Sequence, residues 1–243
     1  MSYKEYNILA VIPARGGSKG IPRKNLCKVD GLSLVARAVK IAKSLTWIDK
    51  VVLSTDDQEI AEEGRKYGAE VPFMRPAELG GDYATSSDTW RHAWLESEVH
   101  YNCRFDISIL LEPTSPLREP ADVERTVDIL FKDKDVAAAA TVSRAPAHFT
   151  PHKCLIVNQE GFIGFYLKDG QKFSIRQKIP AYFYRNGACY AVKRKTLVDK
   201  GLIMEEHCAA VIIDRPVVNI DEPLDIEFAE FLLERENSVF GEQ

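Results

Sequence analysis

Three features of the sequence point to an α/β fold. Residues 8–12 (ILAVI) form a continuous apolar run that stops at a Pro/Gly-rich loop, the pattern of a strand buried on both faces. From there to about residue 142, short apolar runs alternate with stretches of helical spacing. That alternation builds a mostly parallel sheet with helices on both faces. The chain has 243 residues, 45% hydrophobic and 28% charged, enough for one large domain or a core carrying a small insertion. The expected architecture is therefore mostly parallel and Rossmann-like, with an insertion subdomain.

The elements follow in order. Residues 33–44 carry Leu34, Val35, Ala38, Ile41 and Ala42 at helical spacing. Residues 50–54 are the next strand, and the TDDQ run at 55–58 opens a helix with capping chemistry. A strand is expected at 70–73, a helix at 89–99 and a central strand at 106–111. Residues 120–131 read as a helix with Pro near its first turn, and 135–142 as a strand. Beyond Ala145 the pattern changes. Residues 154–165 read as a hairpin turning at NQEG, 158–161. The segment 146–186 is rich in Pro, Lys, Tyr and Phe and is expected to be an insertion reaching out from the sheet, towards a second subunit. Residues 187–192 and 209–213 look like returning core strands, and 223–236 like a closing amphipathic helix.

Composition narrows the function classes. A net charge of -4 gives no bulk attraction for nucleic acid or an anionic membrane. No apolar run approaches the ~20 residues of a membrane span. MSYKEYN leads straight into the first strand, so no signal peptide is expected. Cys27, Cys103, Cys154, Cys189 and Cys208 are scattered, odd in number and without a CxxC pair. That argues against a disulfide framework and for a reducing cytoplasm. The five histidines lack metal spacing, and prolines at 146 and 151 break any helix that would align His148 with His152.

The informative stretch is PARGGSKGIPRKN, 13–25. A buried strand delivers a loop with three glycines and four cations, Arg15, Lys19, Arg23 and Lys24. Glycines let backbone N–H groups approach an anion, and the cations supply charge to a polyphosphate. The competing reading is a solvated basic turn. Its place at the ligand edge of a sheet, in an otherwise acidic chain, favours function. Neither a G-x-x-x-x-G-K-[ST] nor a G-x-G-x-x-G motif is present.

The run AVIPARGGSKGIPRKNL, 10–26, resembles the signature of the acylneuraminate cytidylyltransferases. LSTD (53–56), RPAEL (75–79), LEPTSPLR (111–118), RQ (176–177), RNGA (185–188) and ID (220–221) continue the resemblance in the family's order. It implies a nucleotide-diphospho-sugar transferase type of fold as one domain, 1–243. It also implies a reaction in which CTP activates a nonulosonic, 2-keto-3-deoxy sugar acid and pyrophosphate leaves. A CMP-Kdo-type synthetase and a catalytically lapsed nucleotide-binding protein are the alternatives.

Carried over by resemblance, Arg15 and Lys24 are catalytic cations and Lys19 helps hold the triphosphate. Asn25, Arg75 and Ser86 lie near the nucleotide. Arg75 could instead cap a loop, and the TSSD run at 85–88 suggests Ser86 as a helix N-cap. Asp221 is catalytic and, with Asn219, a metal ligand for Mg2+ or another divalent ion. Its structural alternative is to cap the final helix, and Asp225 one turn on could be surface. The family usually has Asp-Ile-Asp here, so Asn219 puts a two-metal arrangement in question. Glu112 stands where many sialic acid enzymes have Gln, which suggests an acceptor with extra donors. Arg176 and Arg185 are candidates for the sugar carboxylate, with Asn186 beside them; dimer contact is their alternative. Asp56 either faces the ligand crevice or caps the next helix. A homodimer is implied, with 146–186 completing the partner's sugar site.

Overall fold

The computed structural model describes residues 3, 5–81, 84–173, 175–204 and 207–240, the side chains of Arg176 and of 236–240 excepted. A six-stranded sheet carries the chain, in the order β10-β6-β9-β5-β1-β4. These strands are β1 Ile8–Pro13, β4 Lys50–Ser54, β5 Ile107–Leu110, β6 Ala138–Arg144, β9 Phe183–Lys193 and β10 Cys208–Ile212. β1 runs parallel to β4 and β5, and β6 parallel to β10. β9 lies antiparallel between β5 and β6.

Alternation along β1 divides the core. Ile8, Ala10 and Ile12 face α1 (Leu34–Ser44) and α4 (Pro120–Lys132), while Leu9 and Val11 face α3 (Ser86–Tyr101). On the α3 side Trp90 and Trp94 are fully buried, and the Trp90 indole donates to Ser108 Oγ at 2.8 Å. A third cluster joins Ile21, Val29, Leu34, Leu117, Val218, Ile220 and Ala229. It seats the glycine-rich loop on the small hairpin of β2 (Lys28–Val29) and β3 (Leu32–Ser33) and on α5 (Pro223–Phe240).

The expected strand at 70–73 is a single parallel bridge, Val52 to Glu70. Pro72 removes a ladder donor and Pro76 follows closely, so pairing stops at one residue. The capping at 55–58 falls on Asp57, whose carboxylate accepts from Ile60 N at 3.0 Å and starts α2 (Gln58–Lys66). The hairpin forms as read: β7 (Leu155–Val157) pairs antiparallel with β8 (Ile163–Phe165), and Asn158 Oδ1 accepts from Glu160 N and Phe162 N across the turn.

Candidate active site

The loop after β1 is held open by its own polar groups. Ala14 N donates to Ser54 O at 3.0 Å, and the buried Asn25 amide donates to Arg15 O at 2.9 Å, closing the loop on itself. Gly16 N donates to Asp56 Oδ1 at 2.9 Å. Asp56 therefore neither caps α2 nor lines the cavity; it orders the glycine run. Arg23 adopts a left-handed φ of 53° and turns outward to Asp57 and Glu59, at 3.2 and 2.7 Å. Lys24, the next residue, turns inward, and its ammonium donates to Ile220 O at 2.8 Å and Asp221 Oδ1 at 2.9 Å. Of the four loop cations, Arg15, Lys19 and Lys24 line the cavity.

The segment carrying Asn219 and Asp221 is fastened from below. Ile220 N donates to Thr114 O at 2.7 Å, which seats it on the loop after β5. Arg215 bonds Leu117 O at 3.0 Å and pairs with Glu119 and Asp122 at the start of α4. Gly20 packs on this segment so closely that a Cβ there would overlap the Asp221 carbonyl. Asp225 accepts from the backbone N–H groups of Asp221 and Glu222, both at 2.8 Å. Asp225 thus takes the capping role, and the Asp221 side chain stays 69% exposed in the cavity.

The far wall is Arg75 and the start of α3. Arg75 is buried, and its guanidinium donates to Ser54 Oγ at 3.1 Å and to Ser54 O. Burial lowers its pKa to about 10, with Asp56 opposing and Arg15 adding to the shift. It therefore braces the end of β4 and presents charge to the cavity as well. Thr85, not Ser86, caps α3: its Oγ1 accepts from Asp88 N at 3.1 Å. Ser86 is the first helical residue, and Thr85, Ser86 and Thr89 line the cavity at the positive end of the helix.

The floor is the loop at 111–118, clamped to β9 by a fully buried Arg118. Its guanidinium donates to Glu112 O at 2.6 Å, to Gly187 O at 3.4 Å and to Ala188 O. Burial lowers the Arg118 pKa to about 10. β9 bulges opposite Ala140 and Val142. The buried Asn186 amide holds this bulge, accepting from Thr141 Oγ1 at 2.6 Å and Ala188 N at 3.1 Å and donating to Ser143 Oγ at 3.0 Å. Gly187 follows at φ 73°, where a Cβ would lie 2.8 Å from both Glu112 Oε2 and Ser115 Oγ.

Two joined chambers result. The larger, about 670 Å³, gathers Arg15, Lys19, Lys24, Asn25, Arg75, Ser86, Glu112, Asn219 and Asp221 from five separate stretches of chain. The smaller, about 250 Å³, is lined by Leu110, Arg185, Gly187, Tyr190 and Ile203 and shares Ser86, Glu112 and Asn219 with the first. Burial, reinforced by Glu112, pushes the Tyr190 phenol up to about 12. Burial also raises the Glu112 carboxyl above the usual carboxylate range, against the pull of Arg118 and Arg185.

Asn186 corrects one expectation: it lines neither chamber, because its amide is used inside the sheet. The Arg176 side chain lies outside the described residues. Sequence reasoning gave no role to Arg118, Tyr190 or Thr85. Arg118 sits in the LEPTSPLR run and carried a signal, an arginine ending an apolar loop. Tyr190 carried none, being one aromatic in a core strand.

Residues 9–195 match the cytidylyltransferase family. The chain is 33% identical over 231 residues to post-translational flagellin modification protein B of Campylobacter coli, covering 95% of this chain and 96% of that one. It is 31% identical to CMP-N,N'-diacetyllegionaminic acid synthase of Campylobacter jejuni, with the same coverage. Among solved structures it resembles CMP:2-keto-3-deoxy-manno-octonic acid synthetase complexed with CTP, at a TM-score of 0.69 and 20% identity, over 95% of this chain and 99% of the other. The match over residues 9–195 spans most of the sequence, and the chain belongs to the cytidylyltransferase family.

Proposed function

We propose that the chain transfers the cytidylyl group of CTP to the anomeric hydroxyl of a nonulosonic acid. The observation that carries this reading is the pair of chambers meeting at Ser86, Glu112 and Asn219: one of about 670 Å³ with four cations in its lining, room for a nucleoside triphosphate, the other small and polar. Arg15, Lys19 and Lys24 hold the phosphates, with Arg15 and Lys24 neutralising charge that develops on the leaving pyrophosphate. The sugar oxygen attacks the α-phosphorus, the bond to the bridging oxygen breaks, and pyrophosphate departs with the electron pair. The hydroxyl proton leaves to solvent. Asn25, Arg75 and Ser86 position the nucleotide, and Arg185 takes the acceptor carboxylate. Arg176 is kept as its second partner on sequence grounds.

Asp221 supplies a carboxylate and Asn219 an amide, whose Nδ2 donates to Asp221 Oδ2 at 3.4 Å; turned to present its oxygen, the amide would join the carboxylate in facing a cation. This donor set fits one Mg2+, which keeps its remaining positions for phosphate oxygens and water. When bound, the ion would neutralise phosphate charge beside Lys24, whose ammonium pairs with the Asp221 carboxylate.

The working unit in this reading is a homodimer. Ile156, Val157, Phe162 and Ile163 of the hairpin are 56–71% exposed. An isolated two-stranded hairpin is marginal in water, and a second copy would cover it. No helix among the described residues is long and apolar enough to cross a membrane. Cys27, Cys103, Cys154 and Cys189 form no disulfide, which supports a reducing cytoplasm as the compartment.

A pyrophosphate-release screen of the four nucleoside triphosphates against 2-keto-3-deoxy sugar acids tests the assignment. Turnover with CTP and nine-carbon acids is expected. CTP binding without turnover on any acid, at any divalent ion, would reject it.

A further inference from the structure

The small chamber contains a carboxylate with nothing to accept from. Glu112 projects its side chain over the β9 bulge, with Oε2 in the space that a side chain on Gly187 would fill. Among the described residues, no N–H or O–H group donates to either carboxylate oxygen. Arg118 is close enough to exert a field, yet its Nε and Nη2 donate to the carbonyls of Glu112, Gly187 and Ala188 rather than to the carboxylate. Arg185 and Lys24 also act on Glu112 through space, and Asp221 opposes them. Glu112 is partly buried and lines both chambers, so the hydrogen-bond donor that its carboxylate lacks within the protein comes with the ligand. An ionised carboxylate only accepts, and it favours a cationic donor over a neutral amide.

We propose that Glu112 selects the acceptor, and that the preferred nonulosonic acid presents a protonated nitrogen, an ammonium or amidinium, to the small chamber. This rests on the cytidylyltransferase reading above and adds to it the chemical class of the acceptor. Arg15, Lys19, Lys24 and Arg75 in the larger chamber would repel such a group, leaving it the neighbourhood of the acids Glu112, Asp221 and Glu222, of which Glu112 alone also lines the small chamber. Glu112 thereby sets the orientation of the acid: its carboxylate towards Arg185, its cationic nitrogen towards Glu112. Gly187 permits this by leaving room for the Glu112 side chain on the chamber wall.

The test compares three nonulosonic acids that differ only in one nitrogen substituent: acetamido, free amino and acetamidino. Pyrophosphate release is measured with wild type, Glu112→Gln and Glu112→Asp, and circular dichroism checks that each variant folds. Wild type should prefer the amino or acetamidino acid by about 10- to 100-fold in kcat/KM, the worth of one hydrogen bond to a charged group. Glu112→Gln should abolish or invert that preference through the acceptor KM, and Glu112→Asp should restore part of it. An active wild type that favours the acetamido acid, or whose order of preference is unchanged in Glu112→Gln, overturns the proposal alone. A wild type inactive on all nonulosonic acids overturns the cytidylyltransferase assignment and the proposal with it.

Discussion

Replacing Gly187 by Ala tests the link between backbone conformation and chamber shape. Gly187 sits at φ 73°. An L-residue there costs about 1–2 kcal/mol. The new methyl would lie 2.8 Å from Glu112 Oε2 and from Ser115 Oγ, and relieving that overlap adds about 1–3 kcal/mol. Loss of glycine's freedom in the unfolded chain returns about 0.4–1 kcal/mol. Because Glu112 is the far end of a flexible side chain, the cheapest relief is to swing it away. A net destabilisation of about 1–4.5 kcal/mol follows. For a chain of this size, that is a fall in Tm of about 2–18 °C. Displacing Glu112 should also raise the acceptor KM while the KM for CTP stays near wild type. Thermal unfolding by circular dichroism and steady-state pyrophosphate release read the two effects. A Tm within about 1 °C of wild type together with an unchanged acceptor KM would refute the reasoning.

Other perturbations separate the remaining parts. Lys24→Met removes the cation that reaches both the phosphate chamber and Asp221; kcat should fall about 10²- to 10³-fold, and a near-wild-type rate would exclude it from the chemistry. Glu112→Gln should raise the Tm of the ligand-free protein at neutral pH, because its carboxyl is raised by burial. A carboxyl raised in the folded state contributes stability that is complete below the ordinary carboxylate range and is lost as pH rises through the folded value. The Tm advantage of the variant should therefore shrink as pH is lowered from 7 to about 5, and a pH-independent difference would contradict this sign. Ile156→Asp with Ile163→Asp should shift sedimentation towards a monomer, whereas an unchanged sedimentation coefficient would remove the hairpin from any interface. Gly20→Ala would press the loop off the Asp221 carbonyl and should raise the KM for CTP more than that for the acceptor.

Which features the sequence carried by itself follows from the range of the forces involved. Apolar runs and helical spacing are local, so β1, α1, β4, α3 and α4 were legible to within a few residues, and so was the hairpin with its NQEG turn. The strand at 70–73 was over-read, because an edge segment that pairs through one residue before a proline looks like a strand until its neighbour is known. The cationic loop was legible as a phosphate grip, since glycine and charge act where they stand. Tertiary contact alone decided which cations turn inward. Arg23 and Lys24 are adjacent, yet a left-handed residue and two acids on α2 pull one out, while Asp221, 197 residues away, draws the other in. The same holds for Asn186, whose amide goes to a sheet bulge, and for Arg118, which clamps its loop to a strand 70 residues away. Hydrogen-bond partners of buried polar groups are set by long-range packing, and no local pattern records them.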